Sequence, residues 1–188
     1  MSRYFGSSCQ VAFVVPDMSV AIDKFVANGV GPIFKLDRIR PAARYRGERY
    51  DPLISAALLY SGGIQYEILE QHDKTPSAYN DFIERHPAGG LHHIAFFSED
   101  FDQSLALAAS RGQTFEIVQE FIDPTGKAYE IYVEPRSGED PLLMQLSHPS
   151  IRDFFNLMER AASTWDGNDP VRDAQALLPA EARSPREY

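Results

Sequence analysis

Gln10-Val11-Ala12-Phe13-Val14-Val15-Pro16-Asp17 and His93-Ile94-Ala95-Phe96-Phe97-Ser98-Glu99-Asp100 follow one pattern. Each is an apolar, strand-like run that ends on an Asp, and each leads into an amphipathic stretch, Met18 to Asn28 and Phe101 to Arg111, that stops at a Gly. An Asp at the start and a Gly at the end are helix boundary signals. Each helix is followed by about three β-like runs, and the last carries a polar residue among apolar ones: Tyr66-Glu67-Ile68 in the first copy, Met144-Gln145-Leu146 in the second. Gln10 precedes Glu67 by 57 residues and His93 precedes Gln145 by 52. The chain therefore reads as a duplicated βαβββ unit. The duplication places Gln10, Glu67, His93 and Gln145 at equivalent points of its two halves.

Around these anchors the first module runs over residues 8–71, with strands expected near Cys9–Val15, Pro32–Leu36, Leu53–Tyr60 and Ile64–Glu70. Residues 72–90 form a linker holding a short helix, with Tyr79, Phe82 and Ile83 on one face. The second module covers 91–148, with strands near Leu91–Phe97, Thr114–Gln119, Ala128–Val133 and Leu142–Ser147. Asp123–Gly126 and Arg136–Asp140 read as its turns. Residues 149–188 form a helix and tail. Ser150 is the expected N-cap of that helix, and Ile151, Phe154, Phe155, Met158, Ala162 and Trp165 share its apolar face. That face is expected to cover an outer sheet surface of its own chain, with a homodimer contact as the alternative. From Gln175 onward a loosely attached tail is expected.

Composition bounds the function. The 188 residues suffice for a substantial core, and 44% apolar with 24% charged residues is ordinary for a soluble globular protein. A net charge of −9 speaks against nucleic-acid binding, which depends on clustered Lys and Arg. The single cysteine, Cys9, rules out an internal disulfide. No apolar run is long enough for a membrane span, the first residues lack the apolar core of a signal peptide, and a cytoplasmic location is expected.

The four equivalent residues have a common chemistry. His93 offers an imidazole nitrogen, Glu67 a carboxylate, and Gln10 and Gln145 amide oxygens, a mostly hard donor set suited to a divalent Zn, Ni, Co, Mn, Fe or Mg ion. The plain alternative for His93 is a hydrogen-bonded core histidine. Glu130 and Tyr132 share the opposite strand parity to Tyr129 and Ile131, and one parity must face the cavity. His92, next to His93, is expected on the other sheet face, while His72 and His148 lie past strand ends as surface residues. Lys35 to Arg49 holds six of the 18 Lys and Arg. Within it Arg38 to Arg49 reads as a mobile hairpin or loop, and Arg40, Arg44 and Arg46 could hold a carboxylate or the phosphates of a CoA thioester.

The phrases Val11–Asp17, Gly90-Leu91-His92-His93-Ile94-Ala95-Phe96 and Ile64-Gln65-Tyr66-Glu67-Ile68-Leu69-Glu70 resemble the vicinal oxygen chelate superfamily, which includes glyoxalase I, methylmalonyl-CoA epimerase, extradiol dioxygenases and bleomycin-resistance proteins. The resemblance covers about residues 8 to 148, and Ala161–Arg172 is similar to the tail of some glyoxalase-like members. It implies an α+β fold in which two fused βαβββ modules curl a mixed sheet into a cup, with a C-terminal helix added. It also implies one metal ligand on the first and one on the last strand of each module: Gln10, Glu67, His93 and Gln145. The fourth position is usually Glu, and in glyoxalase I and the epimerase that Glu also moves the proton. An amide cannot do so. Glu67, Glu130 and Tyr132 are the residues left to act on the substrate. The resulting expectation is a metal-dependent isomerase, epimerase or lyase that stabilises an enolate of a small carbonyl compound. A metal-free binding or sequestering protein is the second reading, and an extradiol dioxygenase the third.

Overall fold

The computed structural model describes residues 2–136 and 142–177. The first half comprises β1 (Ser8–Val14), α1 (Met18–Ala27), β2 (Ile33–Ile39), a small hairpin of β3 (Ala43–Tyr45) and β4 (Glu48–Arg49), β5 (Ile54–Ser61) and β6 (Ile64–Gln71). After α2 (Ala78–Arg85) the pattern returns as β7 (Gly90–Phe97), α3 (Phe101–Ser110), β8 (Phe115–Ile122), β9 (Ala128–Pro135) and β10 (Leu143–Ser147). The turn expected at Arg136–Asp140 falls mostly outside the described residues, and so does the tail beyond residue 177. Among the described residues no helix is long and apolar enough to cross a membrane.

Both repeat helices are bounded as the sequence predicts. Asp17 accepts from the Val20 amide at 3.1 Å and Asp100 from the Gln103 amide at 2.9 Å, which satisfies orphan donors at each N-terminus. Gly29 and Gly112 follow the helices with φ of 71° and 89°, the left-handed conformation that a side chain would strain. Each half then pairs in the same order, β2-β5-β6-β1 and β8-β9-β10-β7, with the first and last strands of each half parallel. Antiparallel pairing of β1 with β7 fuses the halves into one mixed, open sheet, the α+β cup that the resemblance implied.

The two faces of that sheet have different partners. On the outer face Met18 and Ile22 of α1 pack on Ile33, Ala57, Leu59 and Ile68, and α3 sets Phe101 and Leu105 on Phe96, Ile131 and Val133. Burying each such side chain is worth about 1.5–3 kcal/mol, enough to fix which face looks inward. The inner face carries Ala12, Val14, Ile54, Ala56, Leu69, Phe121 and Tyr132.

The C-terminal helix α4 (Arg152–Ser163) takes a different place from the one expected. It lies on the inner face, where Met158, Phe154 and Phe155 pack with Phe34 and Leu58, so it fills one side of the cup and does not cover its outside. Nor is Ser150 its N-cap. Pro149–Ile151 forms a 3₁₀ turn capped by His148, whose Nδ1 accepts from the Ser150 amide at 3.2 Å. Trp165 lies beyond the helix end, with its indole against Gly31. Past it, β11 (Val171–Asp173) adds in parallel to the free edge of β2, covering backbone groups that would otherwise offer a template to other strands.

The Arg-rich segment is an ordered hairpin. β3 leaves the first half and pairs with β8 of the second, Arg44 opposite Glu120 and Tyr45 opposite Gln119. The Tyr45 hydroxyl donates to Asp81 of α2. The chain thus crosses from one rim of the cup to the other.

Candidate functional site

Strand register builds the cup floor. Gln65, Gln10, Ala95, Gln145, Tyr132 and Gln119 lie side by side across six strands, and Glu67, Ala12, His93 and Leu143 form the adjacent row. Neighbours in a row point to the same face, so the four residues singled out by the repeat converge there. Gln10, His93 and Gln145 are almost fully buried. His93 Nε2 lies 3.3 Å from Gln10 Oε1 and 3.5 Å from Glu67 Oε2.

Bulges decide two further placements. Where β1 pairs with β7 the register shifts between Ala12 and Phe13, leaving His92 as the extra residue. A bulge turns successive side chains toward one side. His92 therefore does not point to the other sheet face: its Nδ1 is 2.9 Å from His93 Nδ1, and both rings pack on Tyr132. A second shift, between Phe121 and Ile122 on β8, makes Tyr129 the extra residue of β9. Tyr129, Glu130 and Tyr132 then all line the cavity, while Ile131 packs on the outer side.

Following the donors fixes which atoms the floor presents. Burial drives the His92 pKa down to about 3 and that of His93 well below its usual value, so both rings are neutral. His92 Nε2 faces the Ala78 carbonyl at 3.4 Å, which can only accept, so that nitrogen carries the proton. His92 Nδ1 must then accept from His93 Nδ1–H, and His93 Nε2 is left as a bare lone pair. A second chain arrives from the other half. Tyr60 donates to the Phe155 carbonyl at 3.1 Å, Gln65 Nε2 donates to Tyr60 at 2.6 Å, and Gln10 Nε2 donates to Gln65 Oε1 at 2.6 Å. Gln10 is thereby forced to turn its oxygen to His93. Gln145 Nε2 donates to Glu130 Oε1 at 2.7 Å, and its own Oε1 is buried with no hydrogen-bond partner among the described residues.

Gln10 Oε1, Glu67 Oε2, His93 Nε2 and Gln145 Oε1 are thus four acceptors on one floor with no donor between them. Ligand atoms held about 2.0–2.2 Å from one ion sit roughly 3.0–3.5 Å apart, the spacing seen around His93 Nε2. The donor set therefore fits a divalent cation. Among the described residues no three His, Cys, Asp or Glu cluster in ligating positions, because half of this set is amide. Without a cation, a proton on Glu67 can fill the same gap: burial and the neighbouring Glu130 carboxylate push the Glu67 pKa up to about 8. Burial raises Glu130 to about 7, against the lowering effect of hydrogen bonds from Ser147 and Gln145.

Above the floor is a cavity of about 220 Å³ lined by Gln10, Glu67, Glu130, Tyr132 and Gln145 together with apolar side chains from β2, β5, β8 and α4. Tyr79 of α2 closes one end, and its hydroxyl is 2.7 Å from that of Tyr132. A larger groove of about 580 Å³ runs outside along α1, but its charged lining is Lys24 and Asp17, the latter already committed to the helix cap. The chemistry belongs to the smaller space.

The family model that matches residues 9–132 is that of the Glyoxalase/Bleomycin resistance protein/Dioxygenase superfamily. The chain belongs to this superfamily. No curated protein matches it. In solved structures this superfamily member is similar to methylmalonyl-CoA epimerase from Mycobacterium tuberculosis, with 18% identity over 79% of this chain and 91% of the epimerase and a TM-score of 0.52. It is also similar to a hypothetical protein from Bacillus halodurans C-125, with 17% identity over 76% of this chain and 93% of the other and a TM-score of 0.51. At such identities the likeness is one of fold.

The three arginines expected at the site lie elsewhere in this glyoxalase-superfamily chain. Arg40 pairs with Asp73 at 2.8 Å, Arg44 with Glu120 at 3.7 Å and Arg46 with Glu134 at 3.9 Å, and none lines the cavity. The acids of neighbouring strands absorb a patch that looks unbalanced in sequence. His72 is part of a partly buried polar network, 2.7 Å from Ser55 Oγ and 3.2 Å from Glu70, and is not a plain surface residue. Gln65 and Tyr60, which orient the floor, were not singled out in the sequence, and His92 was assigned to the wrong face. The repeat phasing marks only first- and last-strand positions, and Gln65 sits one pleat before Glu67.

Proposed function

We propose that this protein is a metal-dependent enzyme that enolises a small carbonyl compound, with isomerisation, epimerisation or lyase chemistry as the outcome. One observation carries the reading: four acceptor atoms converge on one floor, Gln10, His93 and Gln145 nearly fully buried, with Gln10 and His93 turned toward each other by two hydrogen-bond chains. Gln10, Glu67, His93 and Gln145 would hold the ion. Bound there, a divalent cation polarises a carbonyl oxygen and stabilises the charge of an enolate.

The chain's own residues supply the rest. Gln145 cannot serve as a base, but it donates to Glu130, which lies one strand over, lines the cavity and has a pKa raised to about 7. A carboxylate tuned near neutral pH is suited to removing a proton next to a carbonyl and returning it. Ser147 also donates to Glu130 Oε1, at 3.0 Å, leaving Oε2 to face the substrate. Tyr132 and Tyr79, joined through their hydroxyls, give the floor a fixed aromatic wall. In this reading proton transfer has moved from β10 to β9.

The decisive experiment is elemental analysis of untagged protein purified without chelator, with His93→Ala in parallel. Near-stoichiometric metal in the parent and a loss of at least tenfold in the variant are expected, since His93 supplies the nitrogen ligand. Equal metal in both would remove the assignment. The second reading, a metal-free binding protein, draws on the raised pKa of Glu67, whose retained proton would satisfy His93 Nε2. It predicts no metal in either protein, even after reconstitution.

A further inference from the structure

The walls of the cavity differ in character from its floor. Ile54, Leu58 and Phe121 come from the sheet, Phe154 and Phe155 from the C-terminal helix that fills one side of the cup, and Ile151 from the 3₁₀ turn before it. At about 220 Å³ the space falls below the roughly 300–1,000 Å³ of sites for drug-sized ligands. Among the described residues Glu67 and Glu130 are its charged lining, and no Lys or Arg is among them. Two carboxylates would balance the charge of one divalent ion, so neither the metal-free nor the loaded cavity offers net positive charge to an anion. Burying an unpaired charge against such walls is costly.

We propose that the cavity selects small, uncharged carbonyl compounds with an apolar body, and that α4 sets this selection by forming one side wall of the space. The proposal rests on the enzyme reading above for the oxygen end of the ligand, but not for the walls. A carboxylate-tailed substrate or a CoA thioester would have to bring its charge into a space where the described residues offer no cationic partner. Exclusion by α4 and the absence of Arg from the lining act in the same direction.

A matched pair of ligands tests it. 2-Hydroxyacetophenone and phenylglyoxylate share a phenyl ketone body and an adjacent oxygen, and differ in that the second is an anion. Isothermal titration calorimetry on metal-free protein at pH 8 should show binding of 2-hydroxyacetophenone, with phenylglyoxylate and propionyl-CoA at least tenfold weaker. Phe154→Trp, which fills the space, and Phe154→Ala, which removes the wall, should each weaken 2-hydroxyacetophenone binding about tenfold, with melting curves confirming folded protein. Arg44→Ala should leave it unchanged. Equal or tighter binding of phenylglyoxylate or propionyl-CoA, no binding of 2-hydroxyacetophenone, or parent-like affinity in both Phe154 variants would overturn the proposal. Binding of 2-hydroxyacetophenone by a chain that takes up no metal on reconstitution would instead overturn the enzyme reading and leave this one standing.

Discussion

Glu130 and Gln145 make opposite claims on the proton. The amide at the position where the resemblance implies a carboxylate is chemically inert as a base, yet its Nε2 fixes the carboxylate beside it. Glu130→Gln keeps the hydrogen bonds to Oε1 and removes the base, so kcat on an enolisable substrate should fall about 10²–10⁴-fold with metal content unchanged. Loss of metal along with activity would show that Glu130 is a ligand instead. Tyr60→Phe tests the orienting chain at its far end: without the hydroxyl, Gln65 and then Gln10 are free to rotate, and metal affinity should drop about 10–100-fold by competition titration. Unchanged affinity would mean that Gln10 holds its orientation alone. The four convergent residues were legible in the sequence because the duplication marks equivalent strand positions. His92 was not, because alternation assigns faces strictly and a one-residue bulge breaks that rule where the pairing partner is unknown.

Among the elements, the repeat strands and helices follow from the sequence closely, since each carries its own signals: Asp caps, Gly stops and alternation. The side of the sheet on which α4 lies did not follow. Its apolar stripe is plain, but β5 is buried at all of its first six residues, so both faces of that strand need cover and the pattern does not say which one the helix takes. α1 takes the outer face, and α4 is left with the inner one. Met158, with no exposed surface, anchors it against Phe34 and Leu58. Met158→Ala should cost about 2–5 kcal/mol, measured by chemical denaturation, because the cavity left beneath a packed helix collapses only in part. A loss below about 1 kcal/mol would indicate that the helix contributes little to folding stability. The Arg-rich hairpin was equally hard to place: its charges speak for exposure, while its pairing partner, β8, lies more than 70 residues downstream.

For the whole molecule the buried carboxylates make stability depend on pH. In the folded, metal-free protein Glu130 titrates near 7 and Glu67 near 8, against 4.5 for both when unperturbed. The folded state therefore holds protons that the unfolded chain has released, and stability should fall as pH rises from about 4.5 to 8. Below the usual 6.5 of histidine, the depressed His92 and His93 act in the opposite sense, since the unfolded chain binds protons that the folded one refuses. The unopposed window is about pH 6.5–8. There the melting temperature of metal-free protein should decline, and less steeply in Glu130→Gln; a flat profile would show that the two carboxylates are solvated. The path of the chain has a further consequence. β1 waits for β7, β3 waits for β8, and the inner face of β5 waits for α4, which is nearly the last element described. A ribosome making this chain therefore exposes its first module with an unpaired edge and a bare apolar hollow, and that module cannot mature until α4 has emerged. Slowed translation should consequently favour capture by chaperones or aggregation of the nascent chain, and a fragment ending at the linker should not persist as a free domain.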